Sequence, residues 1–303
     1  MAAEIPDEAL GDAFGAVARR LRAAAMRAFA AYDVTPSQVR AIRVLDEHGG
    51  VRSKQLAETY GVQVASVADA AENATYIVVA VKPADVGSAM VDIADAAARA
   101  ENSSAEQVFI TVAAGVSTAY YESKLPAGAP VIRVMPNAPV VVGGGVSALA
   151  RGRFATEEQL KQVSAIFDAV GGVLTVPESQ LDAVTALSGS GPAYFFLMVE
   201  ALVDAGVEAG LPRGTATDLV TQTMAGSAAM LLERLDEQQT APDGGMGSAT
   251  DTSAAQLRAI VTSPGGTTAA GLRELERGGL RAAVADAVAA AKTRSEQLGI
   301  TSE

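Results

Sequence analysis

Two glycine-rich segments carry the residues best suited to hold a small anion. One reads Thr262-Ser263-Pro264-Gly265-Gly266-Thr267-Thr268, and the other reads Ser188-Gly189-Ser190-Gly191-Pro192-Ala193-Tyr194. Each precedes a stretch of helical periodicity, so the unpaired N–H groups of a helix start can receive an anion there. The first segment adds four hydroxyls around two glycines, which suits a carboxylate. A capped helix start with a tight turn would show the same pattern.

The rest of the sequence offers little acid–base or nucleophilic chemistry. The chain contains no Cys, and His48 is its single histidine. These counts exclude a disulfide framework, a thiolate nucleophile, a thiolate zinc site and any pair of catalytic or metal-binding histidines. We therefore expect no metal site, and an enzyme of this composition would leave the reaction to a cofactor.

Charge and hydropathy narrow the class of partner. The 303 residues are 49% hydrophobic and carry a formal net charge of −12, which argues against a nucleic-acid partner. No apolar run reaches the roughly 20 residues needed to span a bilayer, and the acidic start Met1–Glu8 does not resemble a signal peptide. We expect a cytoplasmic protein that acts on a small molecule and has no membrane association.

The elements that must position the two segments change character along the chain. Before Val176, β-rich runs alternate with helical stretches at about 84–99 and 117–124, and the strands are predicted at Tyr76–Val81, Val108–Val112 and Val131–Val134. This βαβ alternation predicts a Rossmann-like, doubly wound parallel sheet of the α/β class. After Glu178 the strand signal ends, and helices are predicted over 192–209, 213–235, 256–261, 267–277 and 281–298, with an exposed loop over 236–252.

Three parts follow from this pattern. Residues 1–50 form an atypical helical segment, with one amphipathic helix over about 7–32 and another that begins at the N-cap Thr35 and ends at Gly49. Residues 51–177 form the Rossmann-like dinucleotide-binding domain, and residues 178–303 form an all-helical domain for substrate binding and dimerisation.

A parallel sheet next to a helical domain points to a nicotinamide dinucleotide, yet the glycine-rich turn expected after the first strand is missing. Gly143-Gly144-Gly145 fits the glycine spacing, but it lies beyond three strands and is not followed by a long helix. Gly11 to Gly15 has no preceding strand and reads better as ordinary helix surface. Neither segment is predicted to cradle a pyrophosphate.

A family resemblance emerges from the helical half. Residues 262–276, TSPGGTTAAGLRELE, resemble the signature of the Δ1-pyrroline-5-carboxylate reductase family. The match extends through 178–194, through Arg133-Val134-Met135-Pro136-Asn137 and through Ala80-Val81-Lys82-Pro83. It covers about residues 52–303 with the blocks in the family's order, so the chain is identified as a member of that family.

The resemblance implies a reductase that converts Δ1-pyrroline-5-carboxylate to L-proline, the last step of proline biosynthesis, with NADPH or NADH, and that forms dimers through the helical domain. It implies that the substrate carboxylate is bound by Ser263, Gly265, Gly266, Thr267 and Thr268, with Glu178 nearby. It places Val81, Lys82, Pro83 and Ala114 along the cofactor. Thr268 is the candidate to relay a proton to the ring nitrogen, although a plain helix-start hydroxyl fits the same position.

The N-terminus departs from the family. Members begin with a strand, a glycine-rich turn and a helix that bind the pyrophosphate, and residues 1–40 contain no such pattern. Residues 1–57 are more loosely similar to the opening of a MarR-type winged-helix regulator, without a recognition helix or wing. Residues 41–46 also fit the family's second strand.

Two alternatives to an active reductase stay open. One is a cofactor-deficient fusion in which the first fifty residues dimerise or recruit a partner. A DNA-binding regulator is disfavoured because six arginines in those fifty residues are offset by seven acids and no reading helix follows.

Overall fold

The computed structural model describes residues 39–40, 71, 74–100, 107–240 and 253–300. Within these ranges the strands are β1 Val39–Arg40, β2 Tyr76–Val79, β3 Val108–Thr111, β4 Val131–Pro136, β5 Gly145–Arg151 and β6 Gly171–Thr175. The α-helices are α1 Val86–Ala100, α2 Thr118–Lys124, α3 Glu157–Asp168, α4 Leu181–Val184, α5 Gly191–Glu208, α6 Arg213–Thr240, α7 Ser253–Ile260, α8 Thr267–Arg277 and α9 Leu280–Ile300.

The strands form one sheet in the order β1-β2-β3-β4-β5-β6. All neighbours pair in parallel except β4 and β5, which are antiparallel. A 3-10 turn at Ala138–Val142 and the left-handed Gly143, with φ of 76°, reverse the chain between those two strands. The predicted α/β sheet with a helical C-terminal half is confirmed, but its parallel pattern is interrupted by this reversal.

Alternate side chains of the strands point into two separate cores. Ile77 of β2 and Phe109 of β3 pack with buried residues of α1 and α2, including Met90 and Tyr121. The neighbouring strand residues, such as Ile110, pack on the other face against α3. Because both faces are covered by helices, the strands read as nearly continuous apolar runs in the sequence.

The described chain divides into two compact units. One contains the residues up to Pro192 together with those from Val288 onward, and the other contains Ala193–Ala287. The first unit holds the sheet, and within the described residues the second unit is entirely helical. The domain boundary predicted from the sequence lies at residue 178, whereas the boundary between these two compact units lies after Pro192.

The structure corrects the prediction for the second N-terminal helix at two residues. Val39 and Arg40 form β1 and pair in parallel with Tyr76 and Ile77 of β2. Helix propensity is a weak preference, and at these two residues backbone hydrogen bonding at the sheet edge overrides the helical pattern that follows Thr35. The other residues of the predicted helices over 7–32 and 35–49, the segment Gly11 to Gly15 and the MarR-like segment lie outside the described residues.

One stretch of the described chain, Glu178–Glu208, is long and apolar enough to cross a membrane by length and composition. It does not stand out as an apolar run in the sequence because internal acidic residues interrupt it: Asp182, Glu200 and Asp204. Only 17% of its most apolar window is buried inside this chain.

Strands β5 and β6 were not predicted because glycines weaken their strand signal. The two backbones lie very close where Gly145 pairs with Gly171. Gly171 has φ of 149°, and a Cβ added there would overlap the Gly145 carbonyl. Gly172, the next residue of β6, has no heavy atom within 4 Å of such a Cβ.

These neighbours provide a matched test of the close approach. We expect Gly171→Ala to lower the free energy of unfolding by about 2 kcal/mol or more, because the added methyl forces the strands apart. Gly172→Ala should change it by less than about 0.5 kcal/mol. Urea unfolding of both variants makes the comparison, and equal effects would contradict the proposed packing.

Candidate active site

The residues expected along the cofactor lie at one edge of the sheet. Val81, Lys82 and Pro83 follow β2, and Ala114 follows β3. The two parallel strands end level with each other, because the Val112 N–H donates to the Val79 carbonyl at 3.1 Å. The carboxyl edge of neighbouring parallel strands is where nucleotides bind in this fold. The structure therefore brings all four predicted residues to one edge.

The segment after β2 leads directly into a helix. Val81 packs against the core on the α1 side. Lys82 is exposed and extended, with φ of −63° and ψ of 149°, and its carbonyl accepts from the Asp85 N–H at 2.9 Å. Pro83 begins the 3-10 turn that precedes α1. An ammonium beside a helix start suits an anionic ligand such as a dinucleotide.

The segment after β3 is ordered by its own polar contacts. The Thr111 hydroxyl accepts from the Ala113 N–H at 3.3 Å and donates to the Tyr121 hydroxyl at 2.7 Å. Gly115 is left-handed, with φ of 79°. Ser117 caps α2 by accepting from the Tyr120 N–H at 3.3 Å. The loop from residue 112 to residue 117 is thus fixed at both of its ends.

Glu178 is engaged within the same unit as the sheet. One carboxylate oxygen accepts from the Thr118 N–H at 2.7 Å, and the other accepts from the Thr118 hydroxyl at 2.6 Å. The Arg133 guanidinium of β4 lies 3.4 Å from the first oxygen. The Arg133 side chain is 7% exposed, so Glu178 neutralises a buried charge and also holds the start of α2.

Tyr121 extends this polar cluster into the core. Burial raises the pKa of its hydroxyl to about 12, although the Thr111 hydrogen bond and the Arg133 charge act in the opposite direction. The hydroxyl therefore stays protonated at neutral pH. It serves structure here, because it accepts the Thr111 hydrogen bond beside the loop after β3.

In the sequence, Arg133 and Asn137 were named only as part of the family resemblance and were assigned no role. Thr118 was not identified at all. Asn137 accepts from the Val146 N–H at 2.9 Å and donates to the Ser188 carbonyl at 3.3 Å. It thus ties the end of β4 to the segment Ser188-Gly189-Ser190. An Arg in an apolar strand is a signal that could have prompted a search for a buried acceptor.

That segment differs from the predicted anion-binding helix start. Residues Thr185–Gly189 form a π turn between α4 and α5, and the Ser190 N–H donates to the Thr185 carbonyl at 2.9 Å. A Cβ at Gly189 would lie 2.8 Å from the Met135 methyl. The glycine serves close packing against β4, so its pattern in the sequence marks an internal contact.

The triple glycine after β4 is an internal turn, as its sequence context suggested. The N–H groups of Gly143, Gly144 and Gly145 donate to the carbonyls of Val140, Pro139 and Val170. The distances are 3.2, 3.1 and 3.1 Å, so all three amides are already used. This turn therefore has no backbone donors to spare for a pyrophosphate.

The predicted substrate loop is a tight turn that leads into α8. The Gly266 N–H donates to the Ser263 carbonyl at 3.0 Å. Pro264 and the left-handed Gly265, with φ of 72°, occupy the central positions, as in a type II turn. The Thr262 hydroxyl donates back to the Arg258 carbonyl at 2.6 Å, so it closes α7.

Helix α8 begins with an exposed, open end. Gly266 is its N-cap, and among the described residues no side chain caps this helix. Ser263, Thr267 and Thr268 are exposed. The predicted carboxylate-binding residues, Ser263, Gly265, Gly266, Thr267 and Thr268, are thus gathered around the first turn. The alternative of a capped helix start with a tight turn describes the same geometry, with Gly266 as the N-cap.

The structure assigns the predicted residues to separate units. Residues 263–268 belong to the helical unit, whereas Glu178 and the residues at the sheet edge belong to the other. The proximity of Glu178 to the substrate loop stays a prediction. In the part of the chain that the structure describes, no group of three acidic or histidine side chains is arranged to hold a metal ion.

Comparison with known proteins first defines the class. Residues 11–115 match a family described as NADP oxidoreductase, coenzyme F420-dependent. Residues 178–298 match the family of pyrroline-5-carboxylate reductase dimerisation. The chain is therefore built as an NADP-linked oxidoreductase with a helical dimerisation domain.

Individual relatives then define the family. A pyrroline-5-carboxylate reductase of Mycobacterium tuberculosis is 69% identical over 253 residues, which are 83% of this chain and 86% of the relative. The solved reductase of Coxiella burnetii is 32% identical with a TM-score of 0.73, and the match covers 93% of this chain and 95% of that one. The NADP-bound pyrroline carboxylate reductase of Plasmodium falciparum is 30% identical with a TM-score of 0.64, over 78% and 81% of the two chains. This chain belongs to the pyrroline-5-carboxylate reductase family.

Proposed function

We propose that this protein reduces Δ1-pyrroline-5-carboxylate to L-proline with NADPH or NADH, the last step of proline biosynthesis. The observation that carries the proposal is the 69% identity to a named reductase over 83% of the chain. The exposed turn before α8 offers backbone and hydroxyl donors for the substrate carboxylate. The sheet edge after β2 and β3 offers a place for the nicotinamide cofactor. We place the reaction in the cytoplasm.

The turn before α8 binds the substrate carboxylate in this proposal. The first N–H groups of a helix have no partner within the helix, and its dipole favours negative charge. Gly266 adds no side chain at the N-cap, so an anion can approach the backbone. The hydroxyls of Ser263, Thr267 and Thr268 provide further donors around the same point.

Thr268 relays the proton that the ring nitrogen takes up when the imine is reduced. Its hydroxyl lies in the first turn of α8 and is exposed, so it can exchange protons with water. The bound nicotinamide cofactor supplies the hydride. Val81, Lys82, Pro83 and Ala114 hold that cofactor at the sheet edge, with Lys82 as a counter-charge for its phosphates.

The helical unit forms the homodimer. Its exposed apolar side chains include Phe195, Leu197 and Leu202, which are 64%, 67% and 50% exposed. Surfaces of this kind normally mark an interface. We accordingly treat residues 178–303 as the substrate-binding and dimerisation domain, and residues 51–177 as the dinucleotide-binding domain after an N-terminal segment at 1–50.

The first test is kinetic. We expect the protein to oxidise NADPH or NADH when Δ1-pyrroline-5-carboxylate is added, and Thr268→Ala to lower kcat by about tenfold, or about 1.4 kcal/mol. Ser263→Ala and Gly266→Val should mainly raise KM for the substrate, because they alter carboxylate binding. Thr217→Ala, an exposed threonine of α6, is the control. If the three site variants match the parent as the control does, the substrate site lies elsewhere.

The second test concerns cofactor affinity. The sequence lacks the glycine-rich turn, and the amides of Gly143–Gly145 are already paired, so that segment cannot replace it. Losing two charge-assisted hydrogen bonds of about 1.5–3 kcal/mol each weakens binding by roughly a hundredfold or more. We expect NADPH and NADH to bind that much more weakly than to a family member with an intact turn.

Calorimetric titration of both cofactors into the pure protein measures this difference. A low-micromolar dissociation constant for either cofactor would contradict it. Very weak binding together with no turnover would instead favour the second candidate function. In that case the chain is a cofactor-deficient reductase homologue that acts as a dimeric binding or regulatory protein.

The third test concerns assembly. We expect light scattering at micromolar concentration to give a dimer or a larger homo-oligomer. Leu197→Glu should reduce the mass, because it places a carboxylate on the apolar surface of α5. Leu174→Glu is the control. Leu174 is similarly exposed, at 59% against 67% for Leu197, but it lies on β6 of the other unit. A monomeric parent would refute the proposed dimer.

A further inference from the structure

The loop from residue 112 to residue 117 is held by two residues that come much later in the chain. We propose that Glu178 and Gly299 are positioning residues for this loop and thereby set the affinity for the nicotinamide cofactor. The inference rests on the proposed function, because Ala114 in the centre of the loop is taken to lie along the cofactor. Both residues act through the loop and touch no reacting atom in this proposal.

Glu178 secures the end of the loop. Thr118, the residue directly after it, donates its N–H and its hydroxyl to the two oxygens of the Glu178 carboxylate, at 2.7 and 2.6 Å. A carboxylate at the first turn of a helix is also favoured by the helix dipole. The buried Arg133 guanidinium lies 3.4 Å from the oxygen that accepts the Thr118 N–H, and it helps to keep the carboxylate in place.

Gly299 supports the middle of the loop. A Cβ built on Gly299 would lie 2.5 Å from the Gly115 carbonyl oxygen, and a Cβ on Gly115 would lie 3.0 Å from the Gly299 backbone nitrogen. The last turn of α9 and the loop therefore meet backbone to backbone. Contact this close requires glycine on both sides, and Gly115 also needs it for its φ of 79°.

The end of α9 is itself fixed to the same unit. The Ser295 hydroxyl donates to the Asp182 carboxylate at 2.7 Å, and Ser295 is only 4% exposed. One turn further along, Gly299 reaches the loop. Because α9 is anchored in this way, it forms a firm surface against which Gly115 rests, and a bulkier residue at 299 must displace the loop.

For Gly299, which is not among the predicted substrate-binding residues, the effect should appear in cofactor binding and leave substrate binding unchanged. The loop follows β3 at the carboxyl edge of the sheet, next to the segment from Val81 to Pro83 that follows β2. The predicted carboxylate site at residues 263–268 belongs to the other unit. A displaced loop would raise the dissociation constant of NADPH, while KM for the imine substrate at saturating cofactor should be retained.

Gly299→Ala tests the contact with α9. In the full-length protein we expect faster amide hydrogen exchange in a peptide spanning residues 112–117, and an NADPH dissociation constant raised about fivefold or more by calorimetry. Alanine has a higher helix propensity than glycine, so the substitution by itself should stabilise α9. Faster exchange in the loop would therefore come from the steric contact and not from a weakened helix. Gly172→Ala, the same substitution in open space on β6, is the matched control.

Thr118→Val and Glu178→Gln test the other contact. Thr118→Val keeps the shape but removes the hydroxyl that donates to Glu178, whereas Thr118→Ser keeps the hydroxyl and should behave as the parent. Each of the first two should raise the NADPH dissociation constant several-fold. The effect of the double variant should be smaller than the sum of the two, because both substitutions weaken the Thr118–Glu178 contact. Glu178→Gln should have the larger single effect, because it also leaves the buried Arg133 without its counter-charge.

The outcomes separate this inference from the proposed function. Unchanged loop exchange in Gly299→Ala, or faster exchange with an unchanged NADPH dissociation constant, would overturn the positioning role. Additive effects of Thr118→Val and Glu178→Gln would overturn it for Glu178. A parent chain that binds NADPH or NADH but does not reduce Δ1-pyrroline-5-carboxylate refutes the proposed reaction alone, and a parent that binds neither cofactor refutes both.

Discussion

The buried guanidinium of Arg133 is the constraint around which the first unit is organised. A buried charge is tolerated only when it is paired and hydrogen-bonded, and the nearby acceptor is the carboxylate of Glu178 at 3.4 Å. Glu178 lies where the sequence changes from strands to helices, and it also receives both donors of Thr118. One carboxylate therefore joins β4, the start of α2 and the entry into the helical region.

The elements that sequence reasoning predicted best are those with local signals. Helix α8 occupies the predicted residues, Thr267–Arg277, because a proline, two glycines and an amphipathic stretch all lie within it or directly before it. Strands β2 and β3 were predicted from their runs of β-branched and aromatic residues. These runs are largely apolar on both faces of the sheet because each face packs into one of the two cores. Strands β5 and β6 were missed because their glycines allow close pairing between strands, an advantage that is invisible until Gly145 and Gly171 are seen together.

The candidate site likewise contains a part that the sequence predicted from local signals and a part that depends on contacts between distant residues. The turn before α8 could be predicted because its residues are adjacent and its chemistry is that of a helix start. The role of Glu178 could not, because its partner Thr118 lies 60 residues away in the chain. The same limit applies to Ser188-Gly189-Ser190, whose small residues indicated an anion site but in fact allow packing against Met135 and Asn137.

The return of the chain from the helical unit to the sheet unit sets an order of events during synthesis. The described strands have all been made before Ala193, and the residues that hold Asp182 and Gly115 come only after Val288. The intervening 95 residues, Ala193–Ala287, take roughly 5–20 s to translate. For that time Asp182 and the loop at Gly115 lack the contacts that the end of α9 will supply, so the unit that holds the sheet completes its folding only when the ribosome has nearly finished the chain.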